Sequence, residues 1–217
     1  MKPGNWPIVE PHTRATFQAL VEAIIPYSPT LARFGNEQTF GALEEHIDEF
    51  MILKLDKLLT SSYGYYSCRI ILSRPTAFML DAAATQLIVT GQTQDPQTFQ
   101  FPYGGPFTTL SRNDRFRAIE LLEKVKIDLG SLPPPYQYNA GLVKFISGAL
   151  NWMTTSGYYS EWSGYGSTRL GQPDNRRVEF FPISWLQVGY PGPAYGYRDF
   201  RGFLLNPSLR GRDDHDL

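Results

Sequence analysis

Asn139-Ala-Gly-Leu-Val-Lys-Phe-Ile-Ser-Gly-Ala-Leu-Asn-Trp-Met-Thr-Thr-Ser-Gly-Tyr-Tyr159 carries a single charged side chain, Lys144. Leu142, Phe145, Ile146, Ala149, Trp152 and Met153 recur in it at i, i+3, i+4, i+7, i+10 and i+11. That spacing predicts a long helix whose apolar stripe faces a core. The same period returns upstream. Phe17, Leu20, Val21, Ile24 and Ile25 mark a helix over Thr13–Ile25, stopped by Pro26 after an extended entry with Pro3, Pro7 and Pro11. Leu43, Ile47, Phe50, Met51, Leu55 and Leu58 predict a second helix from Glu37 to about Ser61. A break at Gly64 precedes a third apolar segment, Ile70 to Val89, in which Pro75 opens or kinks the helix and Ala82 to Ala84 offer a small packing face. After a polar and then Pro/Gly-rich loop, Gly91 to Pro106, a fourth helix starts near Leu110 with Ser111 or Asn113 as cap. Its expected stripe is Phe116, Ile119, Leu122, Val125 and Leu129, closed by Gly130. Pro133-Pro-Pro135 reads as a rigid spacer.

Downstream the character changes. Tyr158 to Phe203 is crowded with Tyr, Trp and Phe, interrupted by Gly and Pro, and free of lysine. Strand-like alternation is confined to Val178–Phe181 and Trp185–Val188. The expected fold is therefore mainly α: about five helices over residues 1–160, then an ordered, irregular extension over 161–217. The two together form one domain, with the extension packing on the helices or on a partner. At 217 residues the chain is long enough for one real core and too short for two full domains with a linker.

A formal net charge of -1 gives no bulk attraction to nucleic acid or anionic membrane. One cysteine, Cys68, forbids an internal disulfide, a multi-cysteine metal site and c-type haem attachment; it reads as a buried structural thiol. No run of about 18 apolar residues is present to span a bilayer. Met1-Lys-Pro-Gly-Asn-Trp-Pro7 lacks the regions of a secretory signal, and Arg176-Arg177 is internal. The expected compartment is the cytoplasm, or the periplasm if the chain is co-exported with a partner or a signal was removed.

Candidates for chemistry are few. His46 and Glu49 share a helical face at metal-ligand spacing, but no Glu-x-x-His occurs and Glu44 to Glu49 reads as a solvated face. A Ser–His–Asp hydrolase would have to use His12 or His46, without a Gly-x-Ser-x-Gly elbow. His215 lies in an acidic chain end. Gly164-Tyr-Gly-Ser-Thr-Arg169 resembles a phosphate-cradling turn only loosely, and no dinucleotide fingerprint is present. Catalytic, cofactor and metal residues are thus expected to be none. Aromatic rings with arginine in place of lysine are instead the composition of a protein–protein interface. The expected interface residues are Tyr165, Trp185, Tyr190, Pro191, Pro193, Tyr195, Tyr197, Arg198 and Arg201, with the rings as anchors and the guanidinium groups pairing with carboxylates at the rim.

The chain resembles the family called gluconate 2-dehydrogenase subunit 3. The landmarks are Phe17-Gln-Ala-Leu-Val-Glu-Ala-Ile-Ile-Pro26, Phe107-Thr-Thr-Leu-Ser-Arg-Asn-Asp-Arg-Phe-Arg-Ala-Ile-Glu-Leu-Leu122, Lys144-Phe-Ile146 with Gly157-Tyr-Tyr159, Gly164-Tyr-Gly166 and Val188-Gly-Tyr-Pro-Gly-Pro193. They occur in family order over residues 14 to 203. The resemblance implies a non-catalytic small subunit of a sugar or sugar-acid dehydrogenase complex. Its implied partners are an FAD-containing large subunit of the glucose–methanol–choline type, which holds the cofactor and the catalysis, and a cytochrome c subunit. The chain departs from the family in showing no twin-arginine signal, which puts export by this subunit in doubt. The alternative reading is a stand-alone carbohydrate-acting enzyme or carbohydrate-binding helical protein, with Tyr and Trp rings as stacking platforms.

Overall fold

The computed structural model describes residues 9–63, 66–98 and 100–192, and these are mainly helical. Helix α1 (Pro11–Ile24) is the element around which the others are placed. Four further helices surround it: α2 (Ile47–Leu58), α3 (Ser73–Val89), α5 (Arg112–Glu123) and α6 (Ala140–Tyr158), with the single turn α4 (Pro106–Thr109) between α3 and α5. Each of the four touches α1, and each touches its neighbours in the order α2, α3, α5, α6 and back to α2. The sequence of α1 suits a central place. Phe17, Leu20 and Val21 are fully buried as their spacing predicts, while Ala15, Ala19 and Ala23, at four-residue intervals, bury a second, small face.

Several local signals act as expected. Ser111 caps α5, accepting from the Asp114 N–H, and Asn139 caps α6, accepting from Leu142 N–H at 3.1 Å. Pro75 is the third residue of α3, where its missing N–H costs nothing, so it opens the helix and does not kink it. The carboxylate of Asp56, at the end of α2, accepts from Leu72 N–H (3.1 Å) and Ser73 N–H (2.8 Å) and so caps α3 from outside its own chain segment.

Other expectations are corrected. The second helix starts at Ile47 and not at Glu37; before it lie the 3-10 turns Pro29–Phe34 and Asn36–Thr39 and a left-handed His46 at φ 55°. That helix also ends sooner, because Leu59-Thr-Ser-Ser-Tyr63 has β-branched and hydroxyl residues of low helix propensity. It forms β1 (Leu59–Tyr63), antiparallel to β2 (Tyr66–Ile70) with Leu59 opposite Ile70. The burial expected of Cys68, on β2, lies outside the described side chains. In α5 the helix stops at Glu123 and Val125 takes a left-handed φ of 52°, so Val125 is no part of a stripe, and Phe116 is exposed. Val178–Phe181 is irregular and Trp185–Val188 is mostly helical, within α7 (Ile183–Gln187).

The largest correction concerns α6. It buries Val143, Ile146, Ser147, Leu150, Met153, Thr154, Gly157 and Tyr158, leaving Phe145 and Trp152 in solvent. On the buried side α2 approaches closely at Gly157. A Cβ on Gly157 would lie 2.5 Å from the ring of Phe50.

Two glycines of α6 therefore behave in opposite ways. Gly157→Ala overpacks the Phe50 contact and is expected to cost about 1–3 kcal/mol. Gly148→Ala, where a Cβ meets nothing within 4 Å, is expected to add roughly 0.5–1 kcal/mol through helix propensity. Urea unfolding of the two variants against wild type checks the pair; equal signs would contradict the α2–α6 packing.

Candidate functional site

Beyond α6 the chain folds back over the α2 end of the helical body. Trp162 is buried, donates its indole N–H to the His46 carbonyl at 2.9 Å, and meets Phe50 edge-on at 5.4 Å. Arg176 lies over the Trp162 and Tyr165 rings at 5.3 and 5.9 Å. Tyr165 is partly buried and donates to Glu161 at 2.8 Å; burial, then Glu161, pushes its phenol up.

The turn at Gly164–Arg169 is filled from within the chain. Glu179 accepts from Ser167 N–H (2.7 Å) and Ser167 Oγ (2.6 Å), and its carboxylate lies where a Cβ on Gly166 would project. The Ser167 hydroxyl and then its N–H hold the Glu179 carboxyl below its usual value. An internal carboxylate thus takes the place that a phosphate would need.

Pro182 leads into α7, which is clamped to the Asn36–Thr39 turn by two glutamines. Gln38 donates to the Gln187 carbonyl at 3.0 Å, and Gln187 donates to the Glu37 carbonyl at 2.7 Å. The Tyr158 hydroxyl sits 2.7 Å from the Phe40 carbonyl and 2.8 Å from Gln187 Oε1. Burial, partly offset by Gln187, pushes that phenol up to about 12. Trp185 is only 8% exposed: its indole N–H donates to the Tyr159 carbonyl at 2.9 Å, and Phe181 and Tyr190 meet it edge-on at 5.3 and 4.9 Å. The indole is therefore packed on its own chain. Exposed apolar side chains recur along this segment: Val178, Phe180, Phe181, Leu186, Val188, Tyr190 and Pro191. Pro193, Tyr195, Tyr197, Arg198 and Arg201 lie outside the described residues, as does His215.

Arg169 binds this segment to α2, on a carboxylate it shares with Arg14 of α1. Arg169 Nε lies 2.6 Å from Glu49 Oε2, and Arg14 Nη2 lies 2.9 Å from Glu49 Oε1. The Glu44–Glu49 run is consequently no solvated face: Glu45, Asp48 and Glu49 are buried. Asp48 is the least satisfied of them. Its Oδ2 has no hydrogen bond, Arg14 Nε is 3.5 Å away, and burial followed by the charge of Glu49 pushes its carboxyl up.

A second place with chemical potential was legible only as isolated residues. His12, early in α1, bonds through Nε2 to Asp81 Oδ2 at 2.6 Å, and its ring stacks on Phe78 at 4.8 Å. Asp81 Oδ1 accepts from Phe107 N–H at 2.9 Å; burial pushes the carboxyl up, against the pull of Phe107 and His12. The pair borders a cleft of about 630 Å³ with Thr85, Pro106 and Ser131 on its walls. Such a pair can fix an imidazole tautomer, yet Thr85 and Ser131 donate to the carbonyls of Asp81 and Asp128. Among the described residues no hydroxyl bonds to the His12 ring, and no group of three or more His, Cys, Asp or Glu side chains is placed to hold a metal. None of the described helices is long and apolar enough to cross a membrane.

Comparison with protein-family models, with curated proteins and with solved structures gave no match.

Two outcomes follow from this geometry. A carboxyl raised in the folded state costs stability once pH passes its unfolded value, and the full cost stands above the folded value. Asp48→Asn should thus be more stable than wild type at neutral pH, with the advantage fading as pH falls toward roughly 4, which thermal unfolding across that range measures. Trp185→Ala should cost about 3 kcal/mol in the order of the segment after Trp162. Limited proteolysis should cut there while the helical body stays intact.

Proposed function

We propose that this chain is the small subunit of an FAD-dependent sugar or sugar-acid dehydrogenase complex, without catalysis or a cofactor of its own. It stabilises or chaperones a flavoprotein large subunit of the glucose–methanol–choline type, and a cytochrome c subunit completes the complex. The observation that carries the reading is the apolar surface over Phe180, Phe181, Leu186, Val188 and Tyr190, exposed on a segment that is otherwise firmly tied down. A patch of large apolar side chains on a fixed backbone loses little conformational freedom when a partner covers it. Trp185 acts beneath it as the support that holds Tyr190 in place, so the docking contacts fall to the rings and aliphatic side chains around the indole. The ordered resemblance over residues 14 to 203 supplies the kind of partner.

A second reading, a stand-alone enzyme acting on carbohydrate, draws on the His12–Asp81 pair beside its cleft. It requires the isolated chain to turn over a glycoside or polyol substrate, and His12→Ala to abolish that turnover.

Co-expression with a flavoprotein encoded beside this chain distinguishes the two. The flavoprotein is expected to co-elute with the wild-type chain and to need it for solubility and FAD loading. Leu186→Asp with Tyr190→Ala should lower affinity at least tenfold, about 1.4 kcal/mol, at an unchanged melting temperature of the helical body. A flavoprotein equally soluble, FAD-loaded and active alone, which never co-elutes, would sink the proposal.

A further inference from the structure

Helix α6, with the Tyr159 that caps it, carries a second apolar stripe that the described core leaves exposed. Gly141, Phe145, Gly148, Trp152, Thr155 and Tyr159 follow one another at spacings of four, three, four, three and four residues, the a/d pattern of a helix–helix seam. Phe145, Trp152 and Tyr159 are 56%, 68% and 50% exposed, while the opposite side of the helix is buried in the core. Trp152 stands out against Trp162 and Trp185, which are 2% and 8% exposed. Each ring occupies one kind of seam position, and each small residue the other. Cβ positions on Gly148 meet nothing within 4 Å, and on Gly141 only Asn139 of the same turn. The seam has no charged member; Lys144 flanks it.

We propose that this face binds a second copy of the chain, α6 against α6, in antiparallel orientation. In that orientation the two kinds of seam position face each other. Tyr159 of one copy then sits over Gly141 of the other, Trp152 over Gly148, and Phe145 over Thr155. The match is closed under a two-fold axis near Leu150, because the members of each facing pair lie equally far along the chain on either side of it. A parallel pair would set ring against ring and glycine against glycine. The area is adequate. Rings of about 150–250 Å² each, half exposed or more, together with the flanking side chains, give roughly 500 Å² per copy. That is about 1,000 Å² for the pair, the lower end for specific association. The contact meets the Trp185 region only at Tyr159, whose carbonyl accepts from the indole N–H, and it does not depend on any flavoprotein.

Sedimentation of the full chain from about 1 to 100 µM, typical of modest interfaces, tests the proposal. Wild type is expected to pass from monomer to dimer. Gly148→Leu, which the free helix has room for, and Trp152→Glu, at an exposed position, should each raise the dissociation constant at least tenfold while the monomer stays folded, with Gly148→Leu melting no lower than wild type. In a Cys68→Ser background, Gly141→Cys mixed with Tyr159→Cys should form a disulfide-linked dimer. Gly141→Cys alone should not, since its two copies would stand roughly 27 Å apart along the helices. A chain that stays monomeric throughout overturns the proposal and leaves the face to a different polypeptide. Dimerisation untouched by both substitutions, or cross-linking by Gly141→Cys alone, overturns it equally.

Discussion

A helix buried on nearly every side must have each of its charged side chains met by the helices around it. Helix α1 meets that condition with partners on three different elements. Arg14 faces Asp48 and Glu49 of α2, His12 is bonded to Asp81 of α3, and Glu22 is paired with Arg115 of α5. Arg115 is itself fully buried and also donates to the carbonyls of Ala19 and Thr108. Removal of Glu22 strands the Arg115 guanidinium in a low-dielectric interior, so that pair fixes how α5 is set about α1 as well as how tightly.

The same pairs organise what lies outside the bundle. Glu49 is shared between Arg14 and Arg169, so the carboxylate that orients α1 on α2 also fastens the segment after Trp162. That segment is then held by Trp162 on His46, by Gln38 and Gln187, and by Trp185 on Tyr159. On the far side, Asp114 accepts from the N–H groups of Gln94 and Asp95 and pairs with Arg117. Burial opposes ionisation of Asp114, but those N–H groups, with Arg117, outweigh it and keep the carboxyl below its usual value. The segment at Gln94 and Asp95 and the one after Trp162 are thus tied to helices by buried carboxylates.

Much of the helical plan was legible because period and punctuation are local properties. The stripe of Phe17, Leu20 and Val21, the cap at Ser111 and the entry at Pro75 each follow from residues a few positions apart. The candidate sites were less so. Glu44 to Glu49 reads as a solvated run until Arg14 and Arg169, distant in sequence, arrive beside it. His12 and Asp81 are 69 positions apart, and nothing in either neighbourhood signals the pairing. Trp185 is of the residue type of an interface anchor, yet its indole N–H finds a carbonyl of its own chain and its ring meets Phe181 and Tyr190 edge-on.

By itself the sequence determined a mainly helical chain with its caps and stops, since backbone propensity and turn chemistry are written in neighbouring residues. Only the tertiary structure decided which side of α6 became core. That helix has two apolar stripes, and the periodicity of either is sufficient to predict a helix. The close approach of Phe50 to Gly157 selected the side that presents this glycine, because α2 can come so near only where no side chain intervenes at the contact. The rings of Phe145 and Trp152 were left facing outward for that reason.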